Sequence, residues 1–306
     1  MPDLLIRGGI TDAMRAALEP HFTLVRDASA AVEYALVGGH IGLDAPAMEA
    51  MPNLKAISNY GVGYDGVDAV GAAQRGIVVT HTPNVLNGEV ANTTLLLLLA
   101  CYRELLRDDA WARSGQWEAE GEAPLTRSPD GARIGFLGMG RIGQEIARRL
   151  AIFDPEISYH TRSPKDVPYR YEGDLVEMAR NVDCLIVITP GGPATKHLVD
   201  RAVLEALGPQ GTLINVARGS VVDEVALVAC LAEGSLGWAG LDVFEHEPKV
   251  PDALKTMPNV VMLPHAGSAT RETRAAMGQL AADNLIDHLK HGTVRTPVPE
   301  CAHLAG

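Results

Sequence analysis

Hydrophobic positions follow two patterns that alternate along the chain. Short apolar runs are typical of buried strands, whereas apolar residues that repeat every three or four positions are typical of helices. In the first part of the sequence, short runs predict strands at residues 4–6, 23–25, 35–37, 54–58 and 77–80. Helices are predicted between them, with Thr11 and Asp44 as N-terminal caps and Pro46 in a first turn. This alternation predicts an α/β fold with a parallel sheet.

The alternation resumes at residue 134 with a strand, a glycine-rich turn and a helix in succession. An apolar run at 134–137 precedes the sequence G-M-G-R-I-G, and an apolar stripe at helical spacing follows it. Gly138 permits the tight turn, Gly140 lets a pyrophosphate approach the main chain, and Gly143 lets helix and strand pack closely. The phosphates then lie at the helix N-terminus. The stretch therefore predicts a dinucleotide site.

Residues 61–66 form a second G-x-G-x-x-G after a strand. Tyr64 and Asp65 lie inside it, and no clear helical stripe starts at its second glycine. The strand at 77–80 is followed by no charged residue placed to contact a ribose. These differences favour residues 138–143 for the nucleotide. The 61–66 loop keeps two interpretations: main-chain N–H groups that bind a small anion such as a carboxylate, or a plain tight turn.

The end of the strand after the glycine-rich helix carries information about the cofactor. In NAD sites an Asp or Glu about 20 residues beyond the first glycine bonds the ribose 2′-hydroxyl. Here Thr161, Arg162 and Ser163 occupy this place, with Lys165 shortly after. Hydroxyls and an arginine fork match a 2′-phosphate, which a carboxylate would repel. The sequence therefore favours NADP(H) over NAD(H), and the alternative is that Arg162 is merely solvated.

Polar residues gather where the later predicted strands end. They are Thr189 and Pro190 after 182–188, Arg218 after 212–216, Asp242 within 239–243 with Glu245 and Glu247 beyond it, and His265 after 260–263. Open parallel sheets bind their ligands at the carboxyl ends of the strands. Arg218, Glu247 and His265 are therefore predicted to converge, although they are far apart in sequence.

If the ligands are a nicotinamide cofactor and a 2-oxo acid, these side chains can catalyse reduction of the carbonyl group. Hydride delivery to the carbonyl carbon leaves an alkoxide, and a histidine donates the proton that it needs, oriented by a neighbouring carboxylate. An arginine holds the substrate carboxylate and polarises the carbonyl, and Asp242 is placed to bond the nicotinamide carboxamide. Spacing alone does not separate Glu247 from Glu245. The alternative is that these residues have structural roles. Either glutamate would then form an ion pair on the surface, and Arg218 would neutralise the C-terminus of a helix.

Composition narrows the class of protein. A net charge of −12 over 306 residues argues against nucleic acid as the main partner. The four cysteines are far apart and show no C-x-x-C, which favours reduced thiols in a cytoplasmic protein, and no metal site is predicted. The longest apolar run, at 95–102, is far shorter than the roughly 20 residues that span a bilayer, and the N-terminus lacks a signal-peptide pattern.

The chain resembles the D-isomer-specific 2-hydroxyacid dehydrogenase family. Five stretches carry the likeness in order: SNYGVGYDGVD, FLGMGRIGQEIA, INVARGSVVDE, GLDVFEHEP and LPHAGSAT. Together with the long helix near residue 95 they cover nearly the whole chain. The resemblance implies that Arg218, Glu247 and His265 are catalytic, which selects Glu247 over Glu245.

The resemblance also implies binding roles. Val62 and Gly63 are expected to bind the substrate carboxylate, together with Arg218 and His265. The residues expected to contact the cofactor are Thr94, Gly138, Gly140, Arg141, Ile142, Gly143, Thr161, Arg162, Ser163, Thr189, Pro190, Thr195, Val216, Ala217, Arg218, Asp242, His265 and Gly267.

The fold implied by the resemblance is two Rossmann-like, doubly wound parallel-sheet domains with the active site in the cleft between them. Residues 1–98 and 284–306 would form the substrate-binding domain, and residues 99–283 the dinucleotide-binding domain. A homodimer joined through an excursion around 100–130 is also implied. One departure is Phe153-Asp154-Pro155, where the family more often has Phe-Gly-Met.

Within the family, residues 161–163 and the VLNGEVAN stretch look most like glyoxylate/hydroxypyruvate reductases. The expected reaction transfers hydride from NADPH to glyoxylate or hydroxypyruvate and gives the D-2-hydroxy acid. Alternatives are a 2-ketogluconate reductase, an NAD-dependent D-3-phosphoglycerate or D-lactate dehydrogenase, and a nucleotide-sensing, corepressor-like module. The end of the strand at 161–163 argues against NAD, and a pure sensor would not need the full Arg–Glu–His set.

Overall fold

The computed structural model describes residues 1–38 and 41–306. The chain divides into two compact units, one formed by Met1–Leu86 with Ala269–Gly306 and the other by Asn87–Ser268. The predicted boundaries, 98/99 and 283/284, instead fall inside two long helices, α4 (Asn87–Tyr102) and α11 (Arg271–His291). Each helix belongs to a single unit because its buried residues pack in one core along its length.

The first unit is a five-stranded sheet with helices packed against it. The strands, in the spatial order β2-β1-β3-β4-β5, pair in parallel throughout. They are β1 (Asp3–Arg7), β2 (Thr23–Val25), β3 (Val32–Gly38), β4 (Ala56–Tyr60) and β5 (Val78–Thr80). The helices are α1 (Asp12–Leu18), α2 (Ala45–Glu49), α3 (Ala69–Gln74) and α11. Thr11 and Asp44 cap α1 and α2 as predicted, accepting the N–H groups of Met14 and Ala47.

The second unit holds a seven-stranded sheet in the order β12-β11-β10-β9-β6-β7-β8, again parallel in every pair. The strands are β6 (Arg133–Leu137), β7 (Glu156–His160), β8 (Arg170–Tyr171), β9 (Cys184–Val187), β10 (Thr212–Asn215), β11 (Trp238–Leu241) and β12 (Val260–Met262). The order reverses at β6, which has β7 on one side and β9 on the other. Such a reversal is where doubly wound sheets bind their ligands.

The second unit also contains helices. They are α4, α5 (Leu105–Arg113), α6 (Gln116–Glu120), α7 (Arg141–Leu150), α8 (Leu175–Arg180), α9 (Arg201–Leu207) and α10 (Glu224–Glu233). Short 3₁₀ turns lie at Ala151–Phe153, Pro193–Thr195, Gly219–Val221 and Leu254–Thr256 in this unit and at Pro299–Leu304 in the first. The two sheets confirm the predicted fold class of two Rossmann-like α/β domains.

Some local features were not predicted. The long helix near residue 95, α4, ends at Tyr102, because Glu104 adopts a left-handed φ of 44° before α5 begins. The short helix α6 and the two-residue strand β8 were missed, since segments this short show little periodicity. At the departure from the family pattern, Asp154 has a φ of 47°, a conformation that glycine adopts freely and aspartate tolerates.

Candidate active site

The glycine-rich turn between β6 and α7 is tightly packed at two of its three glycines. A Cβ at Gly138, where φ is +107°, would lie 2.7 Å from the Ile188 carbonyl oxygen, and one at Gly143 would lie 2.8 Å from the Gly138 oxygen. A Cβ at Gly140 would meet no described atom within 4 Å. The packing of the protein therefore does not require glycine at this position, and the space beside Gly140 is open for the predicted pyrophosphate.

The N-terminus of α7 is suited to an anion. The helix begins at Arg141 and runs for ten residues, with no acidic residue in its first turn. The N-cap residue, Gly140, has no side chain that could cap the helix. The positive end of the helix dipole favours a negative ligand here. The local geometry therefore fits the phosphates of a dinucleotide.

The turn after β7 presents the side chains predicted to recognise a 2′-phosphate. Arg162 and Ser163 are exposed, and the Thr161 hydroxyl donates to the Ser163 carbonyl oxygen at 2.7 Å. The glycine turn lies beside this segment, since the Gly138 N–H donates to the His160 carbonyl oxygen at 3.0 Å.

The carboxyl ends of β10, β11 and β12 bring the predicted catalytic segments together. The Nδ1 atom of His265 lies 2.7 Å from Oε2 of Glu247, and Oε1 of the same carboxylate accepts the Phe244 N–H at 3.0 Å. The imidazole is one-third exposed, whereas the Glu247 side chain is 15% exposed. Glu247 is thus a largely buried partner for a histidine that solvent and substrate can reach.

Arg218 lies on a turn that packs directly against the Glu247 segment. A Cβ at Gly219, the next residue, would lie 1.8 Å from the main-chain carbonyl carbon of Phe244. Asn215 shapes the same turn, because its amide donates to the Arg218 carbonyl oxygen at 3.0 Å and its Oδ1 accepts the Ala217 N–H at 3.1 Å. The turns that carry Arg218 and Glu247 are therefore in main-chain contact.

A family model matches this part of the chain. The model of the "D-isomer specific 2-hydroxyacid dehydrogenase, NAD binding domain" matches residues 95–267, which include Arg218, Glu247 and His265. The chain belongs to the D-isomer-specific 2-hydroxyacid dehydrogenase family.

Known members of the family are similar over nearly the whole chain. A hydroxyphenylpyruvate reductase from Plectranthus scutellarioides is 46% identical over 86% of this chain and 85% of its own. A 2-ketogluconate reductase from Gluconobacter oxydans is 38% identical, covering 97% and 98%. The crystal structure of an NADPH-dependent glyoxylate/hydroxypyruvate reductase from Sinorhizobium meliloti, in complex with NADP and malonate, is 48% identical with a TM-score of 0.92, covering 98% and 97%.

The two glutamates that spacing could not separate have different partners in this dehydrogenase. Glu247 contacts His265, whereas Oε1 of Glu245 lies 2.9 Å from Nε2 of His197. The Glu245 N–H donates to Oε1 of Glu224, which sequence reasoning missed, at 3.2 Å. Burial raises the pKa of the Glu224 carboxyl above its ordinary value. The signal for Glu224 was its place at the end of the INVARGSVVDE stretch, as the first residue of the helix that Asp223 caps.

Asp242 fixes residues 265–267, which we call the histidine segment. Its Oδ1 accepts the Ala266 N–H at 2.6 Å, its Oδ2 accepts the Gly267 N–H at 2.8 Å, and its carbonyl oxygen accepts the His265 N–H at 2.8 Å. The side chain is 2% exposed, and burial raises its pKa. This contact set gives Asp242 a positioning role for the histidine segment, and its predicted bond to the nicotinamide carboxamide stays a prediction.

The remaining predicted cofactor residues lie around these strand ends. The Thr195 hydroxyl donates to the Pro190 carbonyl oxygen at 2.7 Å, which closes the turn that follows Thr189. Thr94 is fully buried in α4 and donates to the Val90 carbonyl oxygen at 2.8 Å. The neighbouring Thr93 instead contacts the histidine segment, through the Gly267 carbonyl oxygen at 3.2 Å.

Two side chains of the same region, Val216 and Ala217, are buried at the end of β10. Their predicted contacts with the cofactor, like that of Thr94, stay predictions.

The 61–66 loop of the first unit has its carbonyl groups fixed on one side. The Gly61 oxygen accepts the Thr82 N–H at 2.9 Å, and the Asn59 amide lies 3.0 Å from both the Gly61 and the Gly63 oxygens. The Val62 oxygen accepts Nδ1–H of His81 at 2.9 Å. A peptide N–H points opposite to the carbonyl of the same peptide plane. The N–H groups of Val62 and Gly63 therefore point away from these partners.

Neither a metal-binding cluster nor a membrane-spanning helix is found in the described ranges, 1–38 and 41–306. No cluster of three or more His, Cys, Asp or Glu side chains there is arranged to hold a metal ion. Across the same residues, no helix combines the length and apolar character needed to cross a membrane.

Proposed function

We propose that this dehydrogenase reduces a small 2-oxo acid with NADPH and releases the D-2-hydroxy acid, with glyoxylate and hydroxypyruvate as the first candidate substrates. The observation that carries the proposal is the His265–Glu247 pair at the strand ends, next to the turn that bears Arg218. Support comes from the Sinorhizobium meliloti relative, whose described activity is NADPH-dependent glyoxylate/hydroxypyruvate reduction.

The proposed proton transfer follows from the hydrogen bond of the imidazole. Glu247 accepts the Nδ1–H of His265, so the proton available for transfer is on Nε2. When bound, the nicotinamide supplies the hydride. His265 donates its Nε2 proton to the substrate oxygen and is left as a neutral imidazole that still donates Nδ1–H to Glu247. Arg218 binds the substrate carboxylate and polarises its carbonyl group.

The 61–66 loop is proposed to bind the substrate carboxylate through the N–H groups of Val62 and Gly63. The support is that the carbonyl groups of Gly61, Val62 and Gly63 are all occupied by partners within the first unit. Successive N–H groups that point the same way form an anion site.

The preference for NADP(H) over NAD(H) is proposed from the side chains after β7. Thr161, Arg162 and Ser163 stand where an NAD site places a carboxylate, and Arg162 and Ser163 are exposed to a ligand. An arginine and hydroxyls bind a 2′-phosphate through charge-assisted hydrogen bonds. The NADP complex of the Sinorhizobium meliloti relative also supports this preference.

A second candidate is a reductase of larger 2-oxo acids. It is favoured by the Gluconobacter oxydans and Plectranthus scutellarioides relatives, whose names specify 2-ketogluconate and hydroxyphenylpyruvate. Nicotinamide absorbance with glyoxylate, hydroxypyruvate, 2-ketogluconate and hydroxyphenylpyruvate in parallel separates the candidates. The highest kcat/KM is expected for glyoxylate or hydroxypyruvate with NADPH. Turnover of none of these acids would contradict the function, and an equal or higher kcat/KM with NADH would contradict the cofactor preference.

A homodimer is proposed from apolar side chains exposed on α4, α5, α6 and the segment after α6. They are Leu96, Leu105, Leu106, Trp117 and Leu125. Their concentration between residues 96 and 125, where the family resemblance implies a dimer contact, favours an interaction surface in this segment. Light scattering should give twice the mass of one chain, and Leu105→Glu combined with Trp117→Glu should give a single chain. A wild-type protein with the mass of one chain would overturn this proposal.

A cytoplasmic location is proposed from the cysteines. Cys101, Cys184, Cys230 and Cys301 are all buried free thiols, and burial raises the pKa of Cys101 to about 12. Thiols without disulfides are typical of reducing compartments. Cell fractionation with an antibody to the protein tests the location, and enrichment in a secreted fraction would contradict it.

A further inference from the structure

A buried tyrosine makes hydrogen bonds to the main chain of the turn that follows β7. The Tyr159 hydroxyl accepts the Lys165 N–H at 2.7 Å and donates to the Lys165 carbonyl oxygen at 3.1 Å. Tyr159 is 1% exposed, so its ring is fixed in the core. One phenol therefore holds the main chain at the far end of residues 161–165, which we call the 161–165 loop.

A second tyrosine holds the near end of this loop. The Tyr171 hydroxyl donates to the Thr161 carbonyl oxygen at 3.2 Å. Tyr159 and Tyr171 are register partners on the adjacent parallel strands β7 and β8, with ring centroids 5.6 Å apart. Side chains of paired residues lie on the same face of a sheet and pack against each other. The two packed rings therefore place one hydroxyl at each end of the loop.

The contacts of the two phenols leave the side chains at the centre of the loop exposed. Arg162 and Ser163 are exposed between the two anchored ends, and the Thr161 hydroxyl bonds the Ser163 carbonyl oxygen inside the loop. The hydroxyls of both tyrosines bond main-chain atoms of the loop. They therefore set the positions from which Arg162 and Ser163 extend, without using the polar groups of these side chains.

We propose that Tyr159 and Tyr171 are positioning residues for cofactor selectivity, which preorganise the 161–165 loop for the 2′-phosphate of NADPH. The inference rests on the proposed preference for NADPH. A loop that is already ordered loses less conformational freedom when it binds an anion, so it binds more tightly. NADH lacks the 2′-phosphate, so the order of this loop contributes to the binding of NADPH and not to that of NADH.

The test measures the dissociation constants of both cofactors by fluorescence titration of the protein, together with Tm. Tyr159→Phe and Tyr171→Phe each keep the ring and remove the hydroxyl. Tyr171→Phe is expected to raise the Kd for NADPH about fivefold, the effect of one lost hydrogen bond. Tyr159→Phe, which removes two hydrogen bonds, should raise it by at least as much, and both variants should leave the Kd for NADH unchanged. Tyr169→Phe is the matched control, because no hydrogen bond joins its hydroxyl to the loop among the described residues. It should change neither constant.

A second measurement separates positioning from a general structural role. In an Arg162→Ala background, Tyr171→Phe should have little further effect on the Kd for NADPH, because the phenol acts through the side chain that has been removed. A wild-type protein that binds NADPH no better than NADH would overturn the cofactor preference and, with it, this inference. Alternatively, the wild type prefers NADPH while the tyrosine variants lose affinity for both cofactors equally, or for neither. Either result would overturn this inference and leave the cofactor preference standing. Tyr171 is half-buried on a short edge strand, so its variant stays informative if Tyr159→Phe fails to fold.

Discussion

One carboxylate oxygen of Glu247 lies 2.7 Å from Nδ1 of His265, while the other oxygen accepts the Phe244 N–H. A glutamine at 247 has an NH2 group in place of one of these oxygens, so one of the two donors loses the oxygen that accepts it. Glu247→Gln should therefore lower kcat roughly 10²–10⁴-fold, the range for general acid catalysis, with little change in the Kd for NADPH. Steady-state kinetics and fluorescence titration measure the two quantities.

Glu245→Gln is the matched control for this prediction. Glu245 lies two residues away and has similar burial, but it pairs with His197. Its kcat should remain within about threefold of the wild type, since a pair outside the reaction contributes little. A loss as large as that of Glu247→Gln would show that the two His–Glu pairs cannot be separated by role.

Arg162→Ala should reduce the preference for NADPH. Removing a charge-assisted partner of a phosphate costs about 1.5–3 kcal/mol, equivalent to roughly 10- to 100-fold in the KM for NADPH. The KM for NADH should stay the same, because NADH has no 2′-phosphate. Arg180→Ala removes an exposed arginine on α8 and serves as the control. An unchanged ratio of the two KM values in Arg162→Ala would refute the phosphate assignment.

Gly219→Ala should destabilise the protein and lower its activity. The new Cβ would lie 1.8 Å from the Phe244 carbonyl carbon, so the main chain of one of the two turns must move. Overpacking of this kind costs about 1–3 kcal/mol of the free energy of unfolding, measured by urea denaturation. Because the displaced turns carry Arg218 and Glu247, kcat should fall as well. A variant with wild-type stability and kcat would show that the contact is not rigid.

Gly140→Ala should weaken cofactor binding without destabilising the protein. No described atom lies within 4 Å of the added Cβ, and the φ of −84° suits alanine, so Tm should not change. The methyl group would occupy the approach of the pyrophosphate, and the Kd for NADPH and NADH alike should rise roughly tenfold, about 1.4 kcal/mol. Unchanged affinity for both cofactors would place the pyrophosphate elsewhere.

Glu224 should make the stability depend on pH. Burial raises its pKa in the folded protein, so the folded state binds the proton more tightly than the unfolded state. Its contribution to the free energy of unfolding is then fully present below its ordinary pKa and falls as pH rises through the raised value. Glu224→Gln does not titrate, so the difference in free energy, variant minus wild type, should increase from mildly acidic to neutral pH. Urea denaturation across that range tests this, and a constant difference would contradict it.

Much of the second unit could be predicted from the sequence because its chemistry lies directly after apolar runs. Arg218, Asp242 and His265 each stand at a strand end, and parallel topology alone brings such ends together. The choice between Glu245 and Glu247 could not come from spacing, since it depends on which histidine each carboxylate contacts. The helix break at Glu104 was unpredictable for a different reason, because neither glycine nor proline marks it.

The proposed cofactor preference should be changeable by substitution without rebuilding the fold. The Tyr159 and Tyr171 hydroxyls bond main-chain atoms of Lys165 and Thr161, so these contacts use no side-chain atom of residues 162 and 163. Different side chains can be exchanged on an unchanged support. Engineering toward NADH should therefore alter those two exposed positions and keep both phenols.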